Sequence, residues 1–264
     1  YLNSGTPSTP PASGTIVGMV RDQYGVGVPN VGVSMDSGLS ISSGSGGAYS
    51  MNLPVGTVAL TATRWAYTSQ TIPGINVAQN QTTTVNFTIT GQAPANVSSF
   101  TVAPSSTVNL LTWTNPASGQ LSATRIVWRS DRFPAGSTDG TVLTDDVAGP
   151  GSVRSFNHTG RTNGVTYYYG AYPYFQDASR FYASGVTASG TPSVKPDMDR
   201  DGDVDQADFG LFQACYSGPF VDQDDPACQQ AKLDGDTDVD LDDTTIFLNC
   251  FSGPGAYAVP TCAG

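Results

Sequence analysis

Glutamate is absent from this 264-residue chain, and lysine occurs only at Lys195 and Lys232. Because Glu and Lys are among the strongest helix formers, their scarcity argues against a helical protein. Short alternating runs of Val, Thr, Tyr and Gly, interrupted by turn residues about 8–12 positions apart, are instead typical of strands in β-sandwiches. The composition therefore predicts a mainly β fold.

Basic clusters and long apolar runs are also missing. Fifteen of the 22 acidic residues, all Asp, lie at or after Asp197, whereas residues 1–194 carry eight Arg and seven Asp. A nearly neutral body followed by an acidic tail offers no surface for neutralising phosphates, so we predict no nucleic-acid binding. No segment approaches the roughly 20 apolar residues of a membrane span.

The beginning of the chain carries no charged segment followed by an apolar run, and it starts with Tyr1 instead of Met. We therefore expect that a signal peptide has been removed and that the protein is secreted and extracellular. Whether it stays associated with a cell surface is left open. Residues 1–13 are rich in Thr, Pro and Ser, which predicts a semi-extended linker or arm.

The residue types of common catalytic sites are scarce. The chain has one histidine, His158, and no GxSxG motif, so a catalytic triad would need distant parts to converge. We expect His158 at the surface of a strand or loop. The adjacent Asp145 and Asp146 would point to opposite faces of a strand and make a poor carboxylate pair. The sequence therefore predicts a protein that is not an enzyme.

The most informative segment is DMDRDGDVDQAD, residues 197–208. Ca²⁺ prefers six to eight oxygen ligands, and a twelve-residue loop that wraps it needs a glycine-type bend at its sixth position, here Gly202. A merely solvated acidic tail would not explain the placement of Gly202 and the apolar Val204. The predicted ligands occupy positions 1, 3, 5, 7, 9 and 12, namely Asp197, Asp199, Asp201, Asp203, Asp205 and Asp208.

This segment recurs 35 residues later, where Val239, Phe247 and Cys250 repeat Val204, Phe212 and Cys215. Each unit contains an Asp-rich loop, a short helix and a Ser-Gly-Pro turn. In the second loop Lys232 stands at position 1 and Thr237 at position 6, so we expect a weaker or empty calcium site. Its candidate ligands are Asp234, Asp236, Asp238 through its backbone carbonyl, Asp240 and Asp243.

All four cysteines lie in the tail, 13 residues apart in the first unit and 12 in the second. Three pairings are possible, and the repeat symmetry favours Cys215–Cys228 and Cys250–Cys262. A zinc site is the rival interpretation, but the spacing is unsuitable and no histidine is nearby. Disulfides indicate an oxidising, exported setting.

With its two loop–helix units, the segment 193–264 resembles a dockerin, the calcium-dependent attachment module that binds cohesins in cellulosomes. Cohesin-binding dockerins usually carry small hydroxyl or basic residues at loop positions 10 and 11, where this chain has Gln206, Ala207, Leu241 and Asp242. The resemblance implies calcium and a protein partner. The departures at positions 10 and 11 argue against a standard cohesin, so the partner is either another copy of the chain or a cohesin-like receptor.

Two β-sandwiches are expected before this module. Residues 14–91 resemble the carboxypeptidase regulatory-like (prealbumin-like) domain through Gly18, Asp22, Gly25, Val28, Pro29, Val31, Tyr49, Leu53, Pro54, Gly56 and Leu60. Residues 92–192 resemble fibronectin type III, with Trp113 on an early core strand and Tyr167 at the position of that family's tyrosine corner. The predicted architecture is thus two tandem sandwiches and a small helical calcium module.

Three kinds of function fit this organisation: a structural subunit that self-assembles into a filament, an adhesion or scaffold-attached accessory protein, and a carbohydrate-binding accessory. Trp113, Trp128 and Tyr169 could form a sugar platform, but aromatic residues at alternate strand positions more often belong to a core. Trp65 and Tyr67 are ambiguous. The residue pattern favours non-enzymatic attachment through the C-terminal module.

Overall fold

The structure is a computed structural model that describes residues 11–117 and 120–263, and its fold is mainly β. Residues 1–10 of the predicted N-terminal arm lie outside the described residues. The strands are β1 (Ser13–Asp22), β2 (Gly32–Met35), β3 (Ser40–Ser42), β4 (Ala48–Pro54), β5 (Gly56–Thr63), β6 (Tyr67–Thr68), β7 (Gln70–Val77), β8 (Thr82–Thr84), β9 (Phe87–Gly91), β10 (Ser98–Ser105), β11 (Val108–Thr114), β12 (Ala123–Arg129), β13 (Thr141–Asp146), β14 (Val153–Thr159), β15 (Tyr167–Gln176), β16 (Arg180–Tyr182) and β17 (Val186–Gly190). The helices are α1 (Gln206–Ala214), the 3-10 helix Pro226–Ala231 and α2 (Leu241–Cys250).

The chain forms two compact units, the first comprising the chain up to Pro94 together with Phe175–Phe181. One sheet of this unit has the order β4-β1-β9-β6, with β8 also on β1, and the other has the order β3-β2-β5-β7. Strand β4 shows why they pack: Tyr49, Met51 and Leu53 are buried, whereas the residues between them are exposed. This period of two places one apolar face of the strand in the core.

Strand β7 contains Pro73, which has no N–H to donate to a sheet ladder. The structure resolves this conflict by placing β7 at a sheet edge, where it pairs only with β5. The run TTVNFTIT reads as one strand in the sequence, but Val85 and Asn86 separate β8 from β9, and both strands lie parallel to β1.

The second unit comprises Ala95–Tyr174 and the chain from Tyr182 onwards. Its sandwich pairs a sheet of order β10-β11-β14 with a sheet in which β13, β12, β15 and β17 are neighbours. Trp113 and Tyr169 are fully buried and Trp128 is partly buried, so the first two are core residues and cannot form a sugar platform.

Tyr167 forms the predicted tyrosine corner of this sandwich. Its hydroxyl accepts a hydrogen bond from the backbone N–H of Thr162, five residues upstream, at 3.1 Å. Nearby, the Asn109 amide donates to the Tyr169 hydroxyl at 2.9 Å and to the Gly190 carbonyl at 3.0 Å, which ties β11 to β15 and β17. Strand order and corner together agree with the resemblance to fibronectin type III.

The expectation of a surface His158 is wrong, because the side chain is only 6 % exposed. His158 occupies the inward-facing position near the end of β14, whose side chains alternate between the two faces. Its Nδ1 lies 2.9 Å from the Tyr169 hydroxyl, and its ring packs 4.9 Å from that of Trp128. Burial, together with the positive charge of Arg161, lowers the pKa of His158 to about 4.

The tail is built from the two predicted loop–helix units. Asp205 and Asp240 cap the N-termini of α1 and α2, each completed as a capping box by the Asp three residues later. Phe212 and Phe247 are buried, with ring centroids 5.1 Å apart. Disulfides join Cys215 to Cys228 and Cys250 to Cys262, as the repeat symmetry favours. None of the described helices has the length and hydropathy needed to cross a bilayer.

Each unit of the tail closes the loop of the other unit. The Ser252 hydroxyl accepts from the Val204 N–H at 2.9 Å, and the Ser217 hydroxyl accepts from the Val239 N–H at 3.0 Å. In return, the N–H groups of Ser252 and Ser217 donate to the carbonyls of Val204 and Val239. This exchange is the pairing that a two-fold axis between the repeats produces.

We predict that the pKa of His158 lies far below the usual histidine value. Because His158 is the single histidine of the chain, its titration is easy to observe. The ring proton resonances should show a midpoint near pH 4 in an NMR titration. Because the folded pKa lies below the unfolded value of about 6.5, His158 contributes stability that is complete above pH 6.5 and lost as the pH falls towards 4, by up to about 3 kcal/mol. A midpoint near 6.5 would contradict the buried placement.

A second prediction concerns the two serines whose hydrogen bonds link the repeats. Ser217→Ala or Ser252→Ala leaves a valine N–H of the opposite loop without its acceptor, which should lower the free energy of unfolding of the tail by about 1 kcal/mol. Calorimetry on the full chain measures this loss. Ser189→Ala, which removes the hydroxyl of an exposed serine in β17, is the matched control and should change nothing. Equal stability of all three variants would show that the exchange is not stabilising.

Candidate calcium centre

The first loop is held in shape by the carboxylate of Asp208, which is fully buried. Its Oδ1 accepts hydrogen bonds from the N–H groups of Met198 at 2.6 Å and Asp199 at 3.1 Å, and its Oδ2 accepts from Asp205 at 2.9 Å. Because Asp208 lies in the first turn of α1, these bonds fold the beginning of the loop back onto the helix. The loop geometry follows from the position of this one residue.

The remaining carboxylates of the loop lie close together. One oxygen each from Asp197, Asp199 and Asp201 lies within 4.8 Å of the others, and the same holds for Asp203, Asp205 and Asp208. None of these carboxylates forms an ion pair with a basic side chain among the described residues. Like charges at this separation repel each other, and a cation between them would reverse the sign of the interaction.

Two carboxylate oxygens of the loop are buried without a hydrogen-bond partner among the described residues, Asp197 Oδ1 and Asp203 Oδ1. Burial and the neighbouring charge of Asp208 raise the pKa of Asp197 to about 7. A buried carboxylate oxygen without a partner is costly, and a hard cation is a suitable partner for it. The donor set contains only oxygen, as Ca²⁺ requires.

Gly202 at position 6 is required for two reasons. Its φ of 108° lies in a region that side chains rarely adopt. In addition, a Cβ at this position would lie 2.6 Å from Gly164 Cα and 2.9 Å from the Tyr257 ring. The loop therefore rests directly on the connection between β14 and β15 of the second sandwich.

The second loop repeats most of this arrangement. The Asp243 carboxylate accepts from the N–H groups of Leu233 at 2.6 Å and Asp234 at 3.2 Å, as Asp208 does in the first loop. Ligand oxygens lie within 4.8 Å of one another in two groups. The groups are Asp234, Asp236 and Asp243, and Asp238, Asp240 and Asp243.

The differences lie where the sequence departs from the first loop. Lys232 supplies no carboxylate at position 1, and it forms no ion pair within 4.0 Å among the residues that the structure describes. Position 4 is left-handed in both loops, at Arg200 (φ 65°) and Gly235 (φ 91°), but Thr237 at position 6 lacks the positive φ of Gly202. The Thr237 hydroxyl instead donates to Asp222 at 2.5 Å. The second loop thus has one side-chain ligand fewer.

The two aspartates at position 7 have a role that sequence reasoning missed. One carboxylate oxygen of Asp203 accepts from the N–H of Gly255, and Oδ2 of Asp238 accepts from the N–H of Phe220 at 2.6 Å. Each aspartate therefore bonds the turn that follows the helix of the opposite repeat. Asp203 and Asp238 lie 35 residues apart, as do Phe220 and Gly255, and this repeat is the signal that could have revealed the exchange.

The residues considered for catalysis have structural partners. Asp145 pairs with Arg125 at 2.7 Å, whereas Asp146 pairs with Arg154 at 2.8 Å. The two adjacent carboxylates are therefore engaged in separate ion pairs. His158 lies in the sandwich core. These residues stabilise the second sandwich and do not form a catalytic constellation.

The helices of the tail bury one face and expose the other. Phe212 and Phe247 are buried and Phe209 and Ile246 are half-buried, so the exposed apolar side chains lie on the outer faces. The large apolar side chains that are exposed on the helices and just after them are Leu211, Tyr216, Leu241, Leu248 and Phe251. Between the helices lies a groove lined by Phe209, Phe212, Gln213, Tyr216 and Thr244.

Comparisons with solved structures give low overall similarity. A DUF3823 family protein from Parabacteroides merdae is 16 % identical, covering 68 % of this chain and 100 % of that protein, with a TM-score of 0.28. The FN1–FN3 domains of chicken CNTN1 are 12 % identical, covering 69 % and 57 %, at 0.32. A streptococcal ancillary pilin is 14 % identical, covering 70 % and 62 %, at 0.28. These TM-scores are too low to support any conclusion about this chain.

Sequence comparison identifies part of the first unit. Among curated proteins, none matches this chain. Residues 15–90 match the family profile of the carboxypeptidase regulatory-like domain. The match spans β1 to β9, the strands of both sheets of the first sandwich. The first unit therefore contains a carboxypeptidase regulatory-like domain.

Proposed function

We propose that this chain is a non-catalytic extracellular attachment protein whose C-terminal module, residues 193–264, binds calcium and docks onto a protein partner. The observation that carries the proposal is the pair of acidic loops, each leading into a helix with an apolar outer face. The resemblance of this module to dockerins supports the same conclusion. The two sandwiches then serve as a spacer that presents the module.

Calcium is the cation that the loops fit best. The first loop offers carboxylate ligands at every odd position from 1 to 9 and at position 12, and its buried oxygens at Asp197 and Asp203 lack partners within the described chain. Bound calcium would supply the positive charge that these carboxylates need, and the loop residues would hold it by their oxygens alone. Asp208 would then both orient the loop and contribute to the site.

Attachment follows from the distribution of apolar surface. The outer sides of α1 and α2 expose Leu211, Leu241 and Leu248, and Tyr216 and Phe251 follow the two helices at equivalent positions of the repeat. The tail contacts the second sandwich through Gly202, Tyr257 and Pro260, which lie outside α1 and α2. The outer faces of these helices therefore remain accessible to a partner. Exposed apolar patches on soluble proteins commonly mark interaction sites.

A carbohydrate-binding accessory role is a second candidate, favoured by Trp65 in the first unit. Its side chain is 65 % exposed and its ring packs edge-on against Phe175 at 5.7 Å, so it is both accessible and supported. Exposed aromatic rings of this kind can stack on sugar rings. A Trp65→Ala variant that retains binding to every tested polysaccharide would exclude this site.

Retention of a partner tests the main proposal. The immobilised full chain should retain a protein from the extracellular fraction of the native organism in calcium and release it in chelator. Asp201→Asn, which alters a ligand at position 5, should weaken retention, whereas Asp36→Asn, the same change at an exposed aspartate of the first unit, should not. Electron microscopy in calcium shows whether the partner is the chain itself. Monodisperse particles combined with no retained protein would contradict attachment.

We predict that calcium stabilises the tail and not the sandwiches. Chelation should lower the melting temperature of the tail transition, because the clustered carboxylates then repel without compensation. Differential scanning calorimetry of the full chain, with and without calcium, measures the change. The Asp201→Asn variant should reproduce part of the loss. An unchanged tail transition in chelator would exclude calcium as a structural ligand.

We also predict that the two loops bind calcium unequally. Lys232 replaces the ligand at position 1, so the second loop should bind more weakly than the first. Titration calorimetry should show one ion per chain or two separate affinities. Lys232→Asp restores the missing carboxylate and should strengthen the weaker site. Two equally tight sites in the unmodified chain would mean that position 1 contributes little.

A further inference from the structure

The turn that follows α1 places an aromatic residue where glycine is expected. Residues Gly218, Pro219, Phe220 and Val221 form a turn closed by a hydrogen bond from the Val221 N–H to the Gly218 carbonyl at 3.2 Å. Proline at the second position and a positive φ at the third are characteristic of a type II turn. That third position favours glycine, but here it is Phe220, with φ at 64°.

The second repeat shows what the backbone of this turn requires. Gly253, Pro254, Gly255 and Ala256 form the same turn, with the Ala256 N–H bonded to the Gly253 carbonyl at 3.2 Å and Gly255 at φ 72°. In both repeats the third residue donates its N–H to the aspartate at position 7 of the opposite loop. The two turns have equal backbone requirements, so the phenylalanine has no local structural advantage over glycine.

Packing within the chain does not offset this strain. The side chain of Phe220 is 98 % exposed, and the neighbouring Val221 is also exposed. At the same time the residue is held firmly, because its N–H is anchored to Asp238 and the Cys215–Cys228 disulfide closes the segment that contains it. An accessible aromatic side chain on a firmly held backbone has the properties of a binding anchor, because its backbone loses little entropy on association.

The charges around Phe220 indicate what kind of surface it fits. Asp222, Asp224 and Asp225 are exposed, follow within five residues, and form no ion pair in the part of the chain that the structure describes. A second copy is a poor partner for this acidic rim, since its own tail is acidic and residues 1–194 have nearly equal numbers of Arg and Asp. A protein with basic residues around an apolar pocket is complementary to it.

We infer that Phe220 is the anchor with which the tail enters an apolar pocket rimmed by Lys and Arg on a foreign partner protein. This inference rests on the proposed attachment function and names the residue and the partner chemistry. The helix faces carry other apolar side chains that could bind a partner. The inference about Phe220 can therefore be wrong while the proposed calcium-dependent attachment is correct. Phe220→Gly is the decisive variant, since the second repeat has glycine at the same position.

The test uses the full chain in calcium to select binders from a phage-displayed library of random peptides. Selected peptides should combine apolar with Lys or Arg residues, and their affinity should fall as salt is raised. Phe220→Gly should weaken their binding at least about tenfold, as expected for an anchor residue. The variant should melt at the same or a higher temperature, which separates lost binding from lost folding. Phe133→Ser, an exposed aromatic residue outside the tail, is the control and should bind normally.

The opposite outcomes are distinguishable. If the selected peptides bind Phe220→Gly as tightly as the unmodified chain, and bind both only in calcium, Phe220 is not the anchor. The proposed function would then remain intact. Peptides without enrichment of basic residues would overturn the partner chemistry. A selection that yields only calcium-independent binders, or none, would count against both the anchor and the proposed function. A lower melting temperature for Phe220→Gly would show that the aromatic side chain is structural.

Discussion

The exchange of hydrogen bonds between the two repeats is the constraint on which the tail depends. Val204 in the first loop is bonded to Ser252, and Val239 in the second loop is bonded to Ser217. Each loop is therefore closed by residues from the other repeat, so neither repeat has a complete environment by itself. This explains how the second loop keeps the geometry of the first although Lys232 replaces its first ligand.

The same exchange links the candidate ion sites to the surface. Asp203 and Asp238 belong to the acidic loops, yet each bonds the turn after the opposite helix, and one of these turns presents Phe220. The first loop also packs through Gly202 against Gly164 of the second sandwich. The residues of the proposed calcium sites, the contact of the tail with this sandwich and the turn that carries Phe220 thus form one connected set.

Within the second sandwich, a polar network occupies the core. His158, Tyr169 and Asn109 connect β14, β15 and β11 by hydrogen bonds, and the burial that lowers the pKa of His158 keeps its ring neutral near pH 7. Buried polar groups of this kind stabilise a fold only when they are hydrogen-bonded. The network joins β11 and β14 of one sheet to β15 of the other and so ties the two sheets of the second sandwich together.

The order of residues by itself determined the β class, the repeat of 35 residues, the loop positions of the carboxylates and the favoured cysteine pairing. These features depend on local periodicity and on internal symmetry, which a single sequence contains. Only the tertiary structure decided which side of β14 His158 occupies, that β7 tolerates Pro73 at a sheet edge, and that Asp203 and Asp238 reach the opposite repeat. Those outcomes depend on contacts between residues far apart in the chain, and local patterns do not specify which distant partners meet.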